Sequence, residues 1–211
     1  TKTLHSTLTN NGTINWSEGV IQGSGTIQNA ATGALNITFP GYDQLQVALN
    51  NAGTLTYTGA GQWGTFTYAP PLTNTGTMNI NTSSWFSRNA LTNSGTINVA
   101  STLYFGSTTH LNAGSILGGT GQIVVNGGTV TQNFPWTNAT HPFILESGTW
   151  NNTTGNPTVL AAGSSLNWQS GTIGGPAGYS IDASLTVPLT TTGTKTLHST
   201  LTNNGTINWS E

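Results

Sequence analysis

The residues able to do chemistry in this sequence are few. Four carboxylates (Glu18, Asp43, Glu146 and Asp182) and three histidines (His5, His110 and His141) precede a fifth acid, Glu211, and a fourth histidine, His198. A pair of carboxylates would suit general acid–base cleavage of a glycosidic bond, but no two of these acids are close in sequence. Folds that bring distant acids together for polysaccharide cleavage add basic residues or calcium, and this chain has only Lys2, Arg88 and Lys195. Calcium prefers six to eight oxygen ligands, more than scattered acids supply. The stretch "GGTGQIV" (118 to 124) has Gln where a calcium-binding repeat would place its acid. "GSGTIQ" (23 to 28) lacks the Lys and the following helix of a phosphate loop. The single histidines read as surface or turn residues. The expectation is therefore no catalysis, no metal and no cofactor.

Composition narrows the partners. Charged residues make up 4% of the 211, against about 25% in an ordinary soluble chain. No basic stripe exists to neutralise phosphates, which excludes nucleic acid. No apolar run approaches the ~20 residues of a membrane-spanning helix, so membrane insertion is not expected. There is no cysteine for a disulfide framework or thiolate site. Hydrophobic residues at 34%, with seven Trp, are enough for a core, so the Thr, Asn, Gly and Ser that fill the rest do not signal disorder.

What positions these residues is a repeat. "TKTLHSTLTNNGTINWSE" occupies residues 1 to 18 and again 194 to 211, an offset of 194 − 1 = 193 residues. Residues 1–193 read as one full tandem unit and 194–211 as the start of the next, continuing one solenoid. Within the unit a shorter motif recurs at spacings of roughly 14 to 23 residues: "NNGTINW", "TGALNITF", "NAGTLTY", "NTGTMNI", "NSGTINV", "NAGSIL" and later, looser copies. Each is a turn whose Asn and Gly tolerate positive φ, followed by a strand alternating polar and apolar with period 2.

Aligning the first inward position gives one column: Ile14, Leu35, Leu55, Met78, Ile97, Ile116, Val130, Trp150, Leu166, Leu185 and, one period on, Ile207. A second inward column holds Trp16, Ile37, Tyr57, Ile80, Val99, Trp168 and Val187. Like strands at this spacing, without helical periodicity, specify an all-β fold. The expected architecture is a right-handed parallel β-helix or solenoid of about nine or ten turns per 193-residue period. An antiparallel sandwich is the competing arrangement. The solenoid also accounts for the missing charge. Equivalent residues of stacked turns lie about 4.8 Å apart, where a ladder of like charges costs on the order of 1 kcal/mol per step in water.

The stretch "LTNNGTINWSEGVIQGSGTIQN" resembles the Gly-, Thr- and Asn-rich β-solenoid repeats of giant bacterial surface proteins, filamentous-haemagglutinin-like adhesins and autotransporter-associated β-strand repeats. The resemblance spans essentially the whole chain and is one of folding motif. It implies export to a bacterial cell surface and a role as stalk, fibre or adhesin, and it carries no catalytic or binding residue with it.

Two sets of residues are candidates for contact. The outward positions Thr13, Asn15, Thr54, Thr56, Thr77, Asn79, Thr96 and Asn98 would form a grid of small hydroxyls and amides. Trp63, Trp85 and Trp136 lie in loop-like stretches and, if exposed, would stack on sugar rings or a neighbouring rod. The expected function is a structural repeat of a long extracellular fibre or adhesin stalk, prone to end-to-end continuity and lateral association. Its partners would be further copies of the repeat, neighbouring rods and surface glycans. The alternative is a binding module that uses the Thr/Asn face for carbohydrate or ice.

Overall fold

The computed structural model describes residues 1–38, 45–59, 64–65, 71–86 and 90–210, with only the backbone described at 64–65 and 84–86. Every regular element among them is a strand, and every strand pairing is parallel. The strands stack into a solenoid of about nine turns.

The described strands line three walls. The first is an 11-stranded sheet that runs from Lys2–Thr3 and Thr7–Asn10 to Lys195–His198. The second begins as six strands, from Thr13–Trp16 to Ile116–Gly119, and is replaced further along by a four-stranded sheet from Thr137–Asn138 to Leu201–Asn203. The replacement stacks on its predecessor at the corner, where Thr140 Oγ1 donates to the Gly119 carbonyl at 3.0 Å and His141 Nδ1 lies 2.8 Å from the Gly121 carbonyl. The third wall runs from Gly64–Thr65 to Ser165–Trp168, and Thr186–Leu189 and Thr206–Trp209 continue beside it.

Inward residues form columns along the axis, and most are wholly buried. On the second wall Leu35, Leu55, Met78 and Ile97 follow one another, with Ile37, Tyr57, Ile80 and Val99 two residues on. Both sets follow from the alternation. The next step departs from it: Ile97 pairs with Leu117, so Leu117 is buried and Ile116 is 56% exposed. The corner before this strand, between Leu111 and Ile116, is two residues longer than the one between Asn93 and Thr96. That difference slips the register by one from the motif alignment, and in a strand a one-residue slip exchanges the faces.

Beyond that point the single aligned column breaks across walls. Val130 and Trp150 belong to the first wall, where Thr109, Val130, Trp150 and Ile173 are in register. Leu166 belongs to the third, over Phe143. Ile207 stacks on Val187 and not on Leu185. Where the second wall shortens to Thr137–Asn138, large side chains fill the interior. Trp136 stacks on Trp150 (centroids 5.4 Å apart, 27° between planes), and Phe143 meets Trp150 edge-on at 4.8 Å. Trp150 is fully buried, with its indole N–H on Gln132 Oε1 at 2.9 Å. Replacing it by Ala is expected to remove about 3–5 kcal/mol of stability, read as a shift in the urea midpoint.

The corner between the first two walls is built from asparagine. Asn10, Asn29, Asn51, Asn74 and Asn93 are all buried, one above another. Each Nδ2 donates to the Oδ1 of the next, at 2.7, 2.7, 2.7 and 2.6 Å. The same amide groups also reach backbone carbonyls, for instance Asn74 Nδ2 to Gly76 and Thr96. The ladder ends where Leu111 replaces Asn and Ser115 takes the last donor at 3.0 Å. Positive φ is not the reason for the glycine that follows: no non-glycine residue described has it, and neither do Gly53, Gly76 or Gly95. Close approach is. A Cβ on Gly76 would lie 2.2 Å from the Gly53 carbonyl oxygen, and one on Gly95 would lie 2.2 Å from that of Gly76.

Two strands of the eighteen-residue segment, "TLTN" and "TINW", change walls between its two copies, while Lys2–Thr3 and Lys195–His198 both belong to the first wall. In the first copy, "TLTN" (Thr7–Asn10) is on the first wall and "TINW" (Thr13–Trp16) on the second. In the second copy, "TLTN" ends the second wall (Leu201–Asn203) and "TINW" (Thr206–Trp209) extends the third. The second copy was expected to occupy the same place one period along the axis. For the "TLTN" and "TINW" strands it is instead advanced by nine turns and one further wall. Its strands nevertheless pair directly with the ladder before them: Lys195–His198 with Gly171–Gly174, Leu201–Asn203 with Tyr179–Ile181, and Thr206–Trp209 with Thr186–Leu189.

Candidate contact face

The eight candidate contact residues all fall on the second wall, on strands Thr13–Trp16, Thr54–Tyr57, Thr77–Ile80 and Thr96–Val99. Their side chains point outward because Ile14, Leu55, Met78 and Ile97, between them, point in. Two straight rows result. Thr13, Ala34, Thr54, Thr77 and Thr96 are in register, and so are Asn15, Asn36, Thr56, Asn79 and Asn98. Rungs repeat at about 4.8 Å and the rows lie about 7 Å apart.

The asparagine corner holds this face in register. From it each Thr amide reaches the glycine carbonyl of the preceding turn: Thr54 to Gly33, Thr77 to Gly53 and Thr96 to Gly76, each at 2.9 Å. The outer amides are also linked. Asn36 Nδ2 donates to Asn15 Oδ1 and Asn98 Nδ2 to Asn79 Oδ1, both at 2.9 Å, and Asn79 Nδ2 donates to Thr56 Oγ1 at 3.4 Å. These bonds run toward the N-terminal end, opposite in sense to those of the buried ladder. The face is uncharged and offers hydroxyls and amides to a hydrogen-bonding partner.

Its neutrality can be tested directly. Changing Thr54, Thr77 and Thr96 together to Lys puts three like charges on consecutive rungs, each step costing about 1 kcal/mol at low salt. The melting temperature should fall in dilute buffer and recover in 1 M NaCl, where the screening length is about 3 Å.

The aromatic candidates do not join the face. Trp136 is buried in the aromatic cluster, which corrects its reading as an exposed residue: the shortened wall leaves room that its ring fills. Trp63 lies outside the described residues, as do Asp43 and Arg88. Trp85 lies in the strand Ser84–Phe86, of which the backbone is described.

The carboxylates and histidines among the described residues stay apart. Among the described residues, no three of His, Asp and Glu converge to hold a metal ion. Asp182 accepts from the Ser184 hydroxyl and amide, and these bonds hold its carboxyl below the usual range in an ordinary turn. Glu146 accepts from Asn126 Nδ2. His141 is buried at the corner, while His5 and His110 are exposed. Burial pushes the Tyr179 hydroxyl well up from its usual value, and it donates to the carbonyls of Trp150 and Gly174 inside the core.

The buried asparagine ladder is the feature that the sequence motif understated. The signal for it is that Asn holds its place two residues before Gly in "NNG", "NAG", "NTG" and "NSG" while the middle residue varies. A corner needing only a turn-former would have let Asp or Gly replace that Asn. This chain matches no protein-family model, no curated protein and no solved structure.

Proposed function

We propose that this protein is a structural segment of a long extracellular fibre or adhesin stalk at a bacterial surface, each 193-residue unit continuing the solenoid of the one before. The observation that carries the reading is the direct parallel pairing of the second copy's three strands onto the preceding ladder. No linker or cap interrupts it, and a rod built this way transmits force through backbone hydrogen bonds on three walls. The uncharged outer rows suit lateral contact with neighbouring rods.

The test is length. A chain of three consecutive units should appear by electron microscopy as one straight rod, each unit adding about 45 Å, nine turns at about 4.8 Å and a third of another. Globules joined at variable angles would overturn the reading.

The coplanar Thr/Asn rows favour a second reading, a binding module for neutral glycans or ice. A glycan array and an ice-shaping assay, each with wild type and with Asn79→Ala/Asn98→Ala, should then show binding that the double variant loses. Its stability should stay within about 1 kcal/mol of wild type, since both amides are half-buried on the outer face and water can take over their hydrogen bonds.

A further inference from the structure

The outer rows of the second wall run one rung further than Thr96 and Asn98. Ile116 stands in register with Thr96, and Gly118 with Asn98. From Ala34 onward the first row therefore reads Ala34, Thr54, Thr77, Thr96 and Ile116, and the second Asn36, Thr56, Asn79, Asn98 and Gly118. Thr77 and Asn79 are their midpoints. Leu117 fills the core at the last of these rungs, and Ile116 is left facing outward, 56% exposed. Outside the duplicated segment it is the one large apolar side chain among the described residues that is exposed.

We infer that this face docks onto the same face of a second copy of the chain, with the two rods antiparallel. A two-fold axis along the Thr77–Ile80 strand, midway between the faces, keeps each row over its own counterpart and reverses the order of the rungs. Ile116 then meets Ala34 of the second copy, and Asn36 meets Gly118. Thr54 and Thr56 meet Thr96 and Asn98, while Thr77 and Asn79 meet their own counterparts. The inference rests on the lateral contacts of the fibre reading and gives them a partner, an orientation and a register.

Size and polarity both match in this arrangement. At each end a large side chain stands opposite a small one, so the summed volume across the interface stays even, as close packing requires. The isoleucine meets a methyl group, and the Asn36 amide meets the backbone that Gly118 leaves bare. A parallel pair, with its axis along the rods, would set Ile116 on the Gly118 backbone and the Ala34 methyl on the Asn36 amide, apolar against polar both times. Charge points the same way. Neither row carries any, so self-contact brings no like charges together, whereas a charged partner would lose water from groups that this face cannot pair.

Area selects a partner that repeats. Five rungs at about 4.8 Å, each four residues long at about 3.3 Å, bury about 300 Å² per copy. The two copies together reach roughly half of the 1,200 Å² at which stable interfaces begin. Single chains thus pair weakly, and a second array, unlike a globular partner, adds contacts with every matching face it repeats.

Exchanging the two sizes tests it. Sedimentation equilibrium of the full chain at rising concentration should show a reversible dimer. Ala34→Ile sets isoleucine against Ile116 and should weaken that dimer by about tenfold or more. Ala34→Ile with Ile116→Ala restores one large and one small side chain per contact, and pairing should return to near the wild-type constant. Both positions face outward, so the variants should melt close to wild type. The chain has no cysteine of its own, and a short bis-maleimide should join Ile116→Cys chains to Ala34→Cys chains but neither to itself, since the two Ile116 positions lie about 19 Å apart, four rungs. A monomer at every concentration, a double variant no better than Ala34→Ile alone, or Ile116→Cys chains joined to one another overturns the inference. Straight three-unit rods that never lie side by side reject the docking and leave the fibre reading intact.

Discussion

Asn74→Ala is expected to destabilise the solenoid by about 3–5 kcal/mol, more than most single substitutions. Asn74 is fully buried in the middle of the ladder. Its loss removes the acceptor at 2.7 Å from Asn51 Nδ2 and the donor at 2.6 Å from Asn93 Oδ1, and it withdraws a donor from the Gly76 and Thr96 carbonyls. Several buried polar groups are left short of partners at once, each worth about 1–3 kcal/mol. Asn74→Asp is the harsher change at neutral pH. Its carboxylate still accepts from Asn51 but faces Asn93 Oδ1 and two carbonyls with no proton to give. Burial and those oxygens would raise the pKa of this new group above its unfolded value. The variant should therefore regain stability relative to wild type as pH falls through the folded pKa toward about 4, where the unfolded group also takes its proton. Urea unfolding of both variants at two pH values checks the sizes and the sign. An Asn74→Ala loss under 1 kcal/mol would mean that water substitutes for the ladder.

The second large effect is at glycine, and the duplicated segment supplies its own control. Gly76→Ala should cost about 3 kcal/mol or more, because the new Cβ would meet the Gly53 carbonyl oxygen at 2.2 Å and the Ala52 carbonyl carbon and oxygen at 2.5 Å, all of them backbone. Gly12 and Gly205 are the same residue of the repeat. A Cβ on Gly12 meets nothing within 4 Å, whereas one on Gly205 falls 2.4 Å from the Leu185 oxygen and 2.5 Å from that of Asp182. Gly12→Ala is thus expected to be neutral or to stabilise by up to ~1 kcal/mol through the unfolded chain. Gly205→Ala should loosen the last rung, seen as faster amide exchange across Leu201–Asn203 and Thr206–Trp209. Equal effects at the two positions would contradict the stacking.

Much of this fold is written in the alternation. A segment such as Thr54–Tyr57 states which side chains go in, and where such segments share a corner, as from Thr13 to Val99, it also gives their register. It does not state the wall. A turn followed by an alternating strand looks alike on all three, so Val130, Trp150 and Leu166 read as one column while lying on two walls. Ile116 and Leu117 were indistinguishable for a related reason: both are apolar, and only the longer corner before them decides which one turns inward. The contact rows were legible because Thr and Asn alternate with aliphatic residues on successive rungs. The buried Asn ladder was not, since an amide is stable inside only when hydrogen-bond partners meet it there, and here those partners are the amides of other turns, distant in sequence. Trp136 was misplaced because "NFPWTNATHPF" carries loop signals, and nothing local announces that the wall opposite has shrunk.

The offset of nine turns and one wall makes the sequence and the shape of the rod work like a vernier. If units follow one another in the register seen here, each presents its pattern turned by one side, and three units return it to the starting side. The 193-residue repeat is then a screw operation about the fibre axis. Its smallest translational period is three units, 28 turns long, or roughly 134 Å at the strand spacing. A rod of this kind has no front or back: the Thr/Asn rows come round to every side in succession. Contacts made through them spread in three directions, which favours bundles over flat ribbons and leaves one rod able to hold neighbours all around it.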